Sequence, residues 1–257
     1  MSRPHLALAL FVLLITVPPA CGQPAARPMP PAPAEVAWRT GPLVVFSAGG
    51  AGGDNTVAEA LSMMRDRSGV PLTVQSVAWC RMGGPGQNVS DHSAQLAAAA
   101  KVADSVRRLR ARWPDANVVL VGYSAGTRVV LAAAEALPAG SVDRIILLGA
   151  GVSCGYDLRP ALHASRGGID SFFCETDPVL SHAESWWGTC DGPKTATAGR
   201  VGFQYPCAKS ECAAYSGLRQ YHWTPAMGGY GGHFTWVCPT FLGQLFAAIQ
   251  SPPPPAR

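Results

Sequence analysis

The sequence VVLVGYSAGTRVVLAAAEAL, residues 118–137, decides the fold. Its first four residues are β-branched or aliphatic, which is typical of a buried strand, and residues 127–137 have the composition of an apolar helix. Between them Gly122 and Gly126 flank Ser124. A chain that turns sharply from a strand into a helix needs small neighbours at the turn, because larger side chains would collide there. We therefore predict a strand, a tight turn that presents Ser124, and a helix.

The same alternation of short apolar strands and longer Ala-rich helices continues on both sides of this stretch. Such a pattern indicates an α/β fold with a mostly parallel sheet and helices on both faces. The predicted strands are Leu43–Phe46, Leu72–Trp79, Val118–Val121, Ile145–Leu148 and Ile169–Phe173. The predicted helices are 54–66, 93–112, 126–137 and 236–249. Residues 181–223 show no clear period, so both Leu218–Trp223 and Val201–Tyr205 remain candidates for the last strand.

The sequence divides into four predicted segments. Residues 1–22 have the basic start, short apolar run and small residues of a signal peptide, and residues 23–40 form a Pro/Ala-rich spacer. The domain is expected over 41–250, followed by a Pro-rich tail at 251–257. Cys21 follows a small residue as in a bacterial lipoprotein signal, so a lipid anchor at Cys21 is an alternative to free secretion. Either way we expect an exported protein, periplasmic or extracellular.

Composition excludes several classes of function. The net charge of +4 comes from scattered basic residues, so no nucleic-acid partner is expected. Eight cysteines suit an oxidising compartment and favour disulfides. A zinc site that combines Cys207 and Cys212 with His222 or Cys190 lacks the usual close ligand pairs, so we predict no metal and no cofactor. The Gly-rich stretch 47–53 lacks the Lys of a phosphate-binding loop, which argues against a nucleotide site.

The pentapeptide Gly122–Gly126 has the form G-x-S-x-G, and its strand-turn-helix setting favours Ser124 as a nucleophile over a plain helix cap. In this setting the chain resembles the α/β-hydrolase superfamily over roughly residues 41–250. Because little sequence precedes Leu43, the resemblance is to small lipases and cutinase-like enzymes, and it implies a reduced sheet of about six strands. It also implies the chain order Ser, acid, His.

That order leaves His182, His222 and His233 as candidates for the base. His233 follows the flexible stretch GGYGG and precedes an apolar helix, so it can approach Ser124, whereas a packed role suits His222 better. For the acid we choose Asp177, just past the strand at 169–173. Other carboxylates beyond the fourth strand remain open as alternatives, and these are Asp157 and Asp191.

An oxyanion hole needs two backbone N–H groups. Ala125 follows the nucleophile and supplies one, and the family pattern places the other at Gly49, with Ser47 where the family usually has His. Trp186 and Trp187 are candidates for a substrate wall, and the second Gly-rich loop, 82–87, is expected at the same sheet edge. The short link at 150–168 predicts no large helical lid and hence an open site.

These residues predict a serine hydrolase that cleaves a carboxylic ester through an acyl-enzyme, with a small-molecule or polymer substrate. We expect a monomer that meets a membrane only through the lipid anchor, if one is present. Two alternatives use the same scaffold. An acyltransferase would pass the acyl group to an alcohol, and a binding module of the cell envelope would keep the pocket without catalysis.

Overall fold

The computed structural model describes residues 40–81, 83–205 and 213–251. The predicted signal peptide, nearly all of the spacer and residues 252–257 lie outside this part of the chain. So do Met82 of the second Gly-rich loop and the cysteines at 21, 207 and 212. The export signal, the lipid anchor and the tail therefore stay predictions.

The sheet has six strands, all parallel, in the order β2-β1-β3-β4-β5-β6. They are β1 (Leu43–Ala48), β2 (Leu72–Val77), β3 (Asn117–Tyr123), β4 (Arg144–Leu148), β5 (Ile169–Phe173) and β6 (Leu218–His222). The predicted fold class is confirmed. Because the strands run in one direction, their carboxyl ends meet at one edge, where folds of this kind place their ligands.

The helices of the described chain are α1 (Thr56–Ser68), α2 (Pro85–Ser90), α3 (His92–Arg112), α4 (Gly126–Glu135), α5 (Arg159–Ala164), α6 (Pro178–Trp186), α7 (Ala198–Val201) and α8 (Pro239–Ile249). The four predicted helices are present with shifted ends. Asn55 caps α1, since its side chain accepts a hydrogen bond from the Ala58 N–H at 3.2 Å. Residues 236–238 were predicted as helix, but a 3₁₀ turn at His233–Val237 precedes α8 there.

Helices cover both faces of the sheet, as predicted. Alternate residues of each central strand face opposite sides: Val118 and Leu120 of β3 belong to one apolar cluster, and Val119 and Val121 belong to the other. The first cluster includes residues of α3, α4 and α5, and the second includes residues of α1 and α8. The sheet is thus a rigid layer, buried on both sides, that ends at the edge where Ser124 lies.

Val201–Tyr205 is not a strand, so this alternative was wrong. α7 ends at Val201, and Phe203 is held instead by the Gln220 side chain, which accepts from its N–H at 2.6 Å and donates to its carbonyl at 3.0 Å. Both atoms of that amide are therefore satisfied by the Phe203 backbone. The last strand is Leu218–His222.

The cysteines depart from expectation. All five in the described part of the chain carry free thiols, so the predicted disulfides are absent among Cys80, Cys154, Cys174, Cys190 and Cys238. Cys174 and Cys190 are buried within the fold as small apolar groups. Separately, none of the described helices is both long and apolar enough to cross a membrane.

Candidate active site

Ser124 stands at a strained turn between β3 and α4. It has φ 54°, and it is the one described residue other than glycine with a positive φ. Gly122 and Gly126 are both needed because a Cβ atom at either position would collide with neighbouring atoms. A Cβ atom on Gly122 would lie 2.6 Å from Thr127 Cα, and one on Gly126 would lie 2.3 Å from the carbonyl oxygens of Ala48 and Gly49. The turn therefore has no room for a side chain at position 122 or at position 126.

Backbone hydrogen bonds fix the position of Ser124. Its N–H donates to the Leu148 carbonyl of β4 at 2.9 Å. Its own carbonyl accepts from the Gly151 N–H at 3.1 Å and from the Thr127 hydroxyl at 2.6 Å. These bonds offset the strain of the left-handed conformation, so the hydroxyl projects from a fixed point at the start of α4.

His233 reaches Ser124 from a loop built on glycines. Four of them have φ between 71° and 84°, a region that side chains rarely adopt, and they are Gly228, Gly229, Gly231 and Gly232. The Tyr123 hydroxyl donates to the His233 carbonyl at 3.3 Å. Within this support, Nε2 of the imidazole lies 2.9 Å from Oγ of Ser124. That distance suits direct proton transfer.

Asp177 lies on the other side of the imidazole. One carboxylate oxygen is 2.8 Å from Nδ1 of His233, and the other accepts the Leu180 N–H at 2.9 Å. The second bond makes Asp177 the N-cap of α6. All three side chains are nearly buried, with exposed fractions of 9% for Ser124, 1% for Asp177 and 5% for His233. The structure thus brings together the three residues that the sequence suggested.

The alternative acids are engaged elsewhere. Asp191 accepts from the N–H of Ser153 at 2.7 Å and from its hydroxyl at 2.5 Å. Asp157 accepts from Arg159, and these hydrogen bonds lower the pKa of Asp157 to about 2. Neither carboxylate contacts His233 in the structure, which leaves Asp177 as the partner of the imidazole.

The other late histidines are not part of this arrangement. His222 packs its ring against Phe173, with ring centres 5.2 Å apart, as the packed role predicts. His182 lies on α6 and is exposed; it makes no contact with Ser124 in the structure, although it lines the cavity beside that residue. Tyr123, whose ring centre is 5.1 Å from that of His233, stays a neutral donor because burial, and then the Asp177 charge, raises the pKa of its hydroxyl.

The loop after β1 places Gly50 beside Ser124. A Cβ on Gly50 would lie 3.5 Å from the Ser124 Cβ, whereas one on Gly49 would meet the Asp54 carbonyl oxygen at 2.3 Å. The Gly49 carbonyl accepts from the indole N–H of Trp79 at 2.9 Å. Gly50 is therefore the glycine beside Ser124, and the oxyanion donor in this loop stays a prediction.

A profile of the cutinase family, described as "Cutinase", matches residues 49–181, which is just over half of the chain. The chain belongs to the cutinase family. The match confirms the predicted resemblance to a small, cutinase-like α/β hydrolase, and membership indicates a hydrolase that acts on esters. The matched range contains Ser124 and Asp177 and ends before His233.

Several solved structures are similar to this cutinase-family chain. A CIB-like hydrolase from Thermoplasma acidophilum is 17% identical, with 81% of this chain and 86% of that chain covered and a TM-score of 0.46. A cutinase-like protein from Cryptococcus sp. is 14% identical, with coverages of 83% and 95% and a TM-score of 0.41. The acetyl xylan esterase core of Trichoderma reesei is 17% identical, with coverages of 81% and 96% and a TM-score of 0.42. A comparison with curated protein sequences gave no significant match.

A cavity of about 470 Å³ opens beside the Ser124 hydroxyl of the cutinase-family chain. Short helices flank it, since Pro85 and Val89 of α2 lie on one side and α6 lies on the other. Of the two predicted wall residues, Trp187 lines the cavity and Trp186 does not. Trp186 is instead 68% exposed on the outer side of α6.

Among residues 40–81, 83–205 and 213–251, no three or more His, Cys, Asp or Glu side chains are grouped so as to hold a metal ion.

Proposed function

We propose that this cutinase-family protein is an exported serine esterase, with Ser124 as nucleophile, His233 as base and Asp177 as the acid that orients the base. The observation that carries the proposal is that the His233 imidazole links the other two side chains. Its Nε2 lies 2.9 Å from Oγ of Ser124, and its Nδ1 lies 2.8 Å from a carboxylate oxygen of Asp177. The strained φ of Ser124 supports it further, because such strain concentrates at functional sites.

In the acylation half, Nε2 of His233 accepts the Ser124 proton while Oγ attacks the ester carbonyl carbon. The Asp177 carboxylate stabilises the imidazolium that results and keeps the second proton on Nδ1. The carbonyl oxygen becomes an oxyanion, and the tetrahedral intermediate then expels the alcohol, which takes its proton from His233. The product of acylation is the acyl-enzyme, an ester between Ser124 and the acyl group.

The oxyanion is stabilised by backbone N–H groups at the start of α4 and in the loop after β1. We assign the first to Ala125 and the second to Gly50 in place of Gly49, because Gly50 borders Ser124. The positive end of the α4 dipole adds to this stabilisation. In the deacylation step His233 takes a proton from water as the water oxygen attacks the acyl carbon. The second tetrahedral intermediate then expels Oγ of Ser124, which takes that proton back from His233 as the carboxylic acid is released.

Export is the second part of the proposal and rests on the sequence of residues 1–22. Mass spectrometry of the mature N-terminus from the producing cell would test it. Loss of the first twenty or so residues supports export, and a diacylated Cys21 at the new N-terminus identifies a lipid anchor. An intact Met1 in the mature protein would overturn this part.

A fluorophosphonate probe tests the catalytic assignment directly, since it reacts with an activated serine. We expect peptide mapping to find the label on Ser124, and Ser124→Ala to abolish labelling and to lower turnover of p-nitrophenyl butyrate by about 10⁴-fold or more. Ser105→Ala is the matched control and should label like the parent, because Ser105 is a half-buried serine of α3 whose hydroxyl donates to the Lys101 carbonyl. A parent protein that neither labels nor hydrolyses esters would instead be a binding module.

A further inference from the structure

The walls of the catalytic cavity are mainly apolar. They include Pro85, Val89, Val179, Leu180 and Trp187. Besides Ser124, the polar side chains of the lining are Thr197, whose hydroxyl already donates to Glu184 at 2.8 Å, and His182, whose ring packs against Trp186 and Trp187. A cavity with so few polar groups fits a hydrocarbon chain better than a sugar ring, because most hydroxyl groups of a sugar would lack partners there.

The position of His233 indicates which part of an ester lies in the cavity. The departing alcohol takes its proton from His233, so the alcohol must lie beside Nε2. His233 is not among the residues that line the cavity, although Ser124 and Ala125 are. The alcohol therefore leaves on the histidine side, and the acyl chain extends into the cavity.

Trp187 forms the wall between α6 and α2. A Cβ atom on Gly86 would lie 2.3 Å from Cε2 and 2.7 Å from Cζ2 of the indole, so the ring packs directly against the Gly86 backbone. Its own backbone is anchored, since the Trp187 N–H donates to the Ala183 carbonyl at 2.8 Å. Trp187 lines the cavity and is also 43% exposed, so it lies at the boundary between the cavity and solvent.

We propose that Trp187 is a specificity-determining residue that limits the length of the acyl chain, an inference that rests on the proposed esterase function. Each methylene group buried in the cavity improves kcat/KM by about fourfold. This improvement in kcat/KM ends at the length at which the acyl chain meets the indole of Trp187. The parent enzyme thus prefers straight acyl chains of medium length over acetate and over palmitate.

The test compares Trp187→Ala with Trp186→Ala on straight-chain p-nitrophenyl esters from acetate to palmitate. We expect Trp187→Ala to raise kcat/KM for palmitate relative to hexanoate by about tenfold or more, the value of roughly two further buried methylene groups. Trp186→Ala removes an indole that does not line the cavity and that reaches it only through its ring contact with His182, 5.7 Å between centres, so its chain-length profile should stay close to that of the parent. Trp187→Phe keeps an aromatic wall, so its ratio of kcat/KM for palmitate to that for hexanoate should lie between the ratios of the parent and of Trp187→Ala.

Labelling of Ser124 by fluorophosphonate and the thermal unfolding midpoint show whether each variant is folded. If Trp187→Ala does not fold, Trp187→Phe carries the test alone. A folded, labelled variant with the parent's chain-length profile overturns this inference and leaves the esterase proposal standing. Equal shifts in the Trp186 and Trp187 variants overturn it as well. A parent protein that hydrolyses no ester and takes no label refutes the proposed function itself.

Discussion

Replacing Asp177 by Asn would remove the charge but keep the shape of the carboxylate. In the structure one oxygen of Asp177 accepts the Leu180 N–H at 2.9 Å, and the other faces Nδ1 of His233 at 2.8 Å. An Asn side chain has a single acceptor, and the Leu180 N–H requires it. The NH₂ group must then point at Nδ1 and donate to it, which forces the imidazole proton onto Nε2.

An imidazole protonated at Nε2 cannot accept the proton of Ser124. We therefore expect Asp177→Asn to lower kcat by about 10⁴-fold, which corresponds to about 5 kcal/mol of activation free energy. The fold should be nearly unaffected, because the cap of α6 survives. Initial rates on p-nitrophenyl butyrate measure the first effect, and the urea midpoint measures the second.

Asp157→Asn is the matched control, since that carboxylate contacts Arg159 and not His233. Its kcat should stay within a factor of about two of the parent, as for other substitutions away from the reacting atoms. The reasoning is refuted if Asp177→Asn retains turnover within tenfold of the parent, or if Asp157→Asn loses as much.

Three other residues give predictions on stability. Asp170 is fully buried and accepts from Arg144 at 2.5 Å and Arg219 at 2.6 Å, so Asp170→Asn should cost about 3–5 kcal/mol by urea unfolding. Burial alone would raise the pKa of Asp170, but the two arginines outweigh burial and hold it below its ordinary value of about 3.9. The parent should therefore keep this stabilisation above that pH and lose it as the pH falls through the lowered pKa, while the variant lacks this dependence. If the free energy of unfolding fell equally steeply at acid pH in the parent and in Asp170→Asn, Asp170 would not be the source of this pH dependence. Gly126→Ala should cost about 3 kcal/mol or more, because its Cβ would overlap two carbonyl oxygens. Gly243→Ala in α8 meets open space and should instead stabilise the protein by about 0.5–1 kcal/mol in thermal unfolding. Equal midpoints for these two variants would count against the steric argument.

The parts of the fold that were predictable are those with a strong local pattern. Strands β1, β3 and β4 were found within a few residues because they are nearly continuous apolar runs. β2 and β5 contain polar residues but keep enough β-branched or aromatic residues to be recognised, and the parallel order followed from the helices between the strands. The short helices α2, α5, α6 and α7 were not predicted. Each has nine residues or fewer, too few for a helical period to emerge, and α6 is defined by its Asp177 cap.

For the site, chain order and local context pointed to Ser124, Asp177 and His233, and the structure places them within hydrogen-bond distance. The sequence favoured Asp177 but left Asp157 and Asp191 open, because the choice depends on which loop turns toward the imidazole. The same holds for Trp186 and Trp187. Adjacent residues at the end of a helix face different directions, and residues 181–223 have no period that would indicate which one faces inward.

Asp177 couples the catalytic residues to the cavity wall. The same carboxylate orients His233 and caps α6, and α6 leads directly into Trp187. A change in the cap would therefore move the imidazole and the wall together. A change at Trp187 alters only the wall, because the Asp177 contacts are made at the opposite end of the helix. Chain-length preference can thus change by substitution at the carboxyl end of α6 without disturbing proton transfer at its amino end.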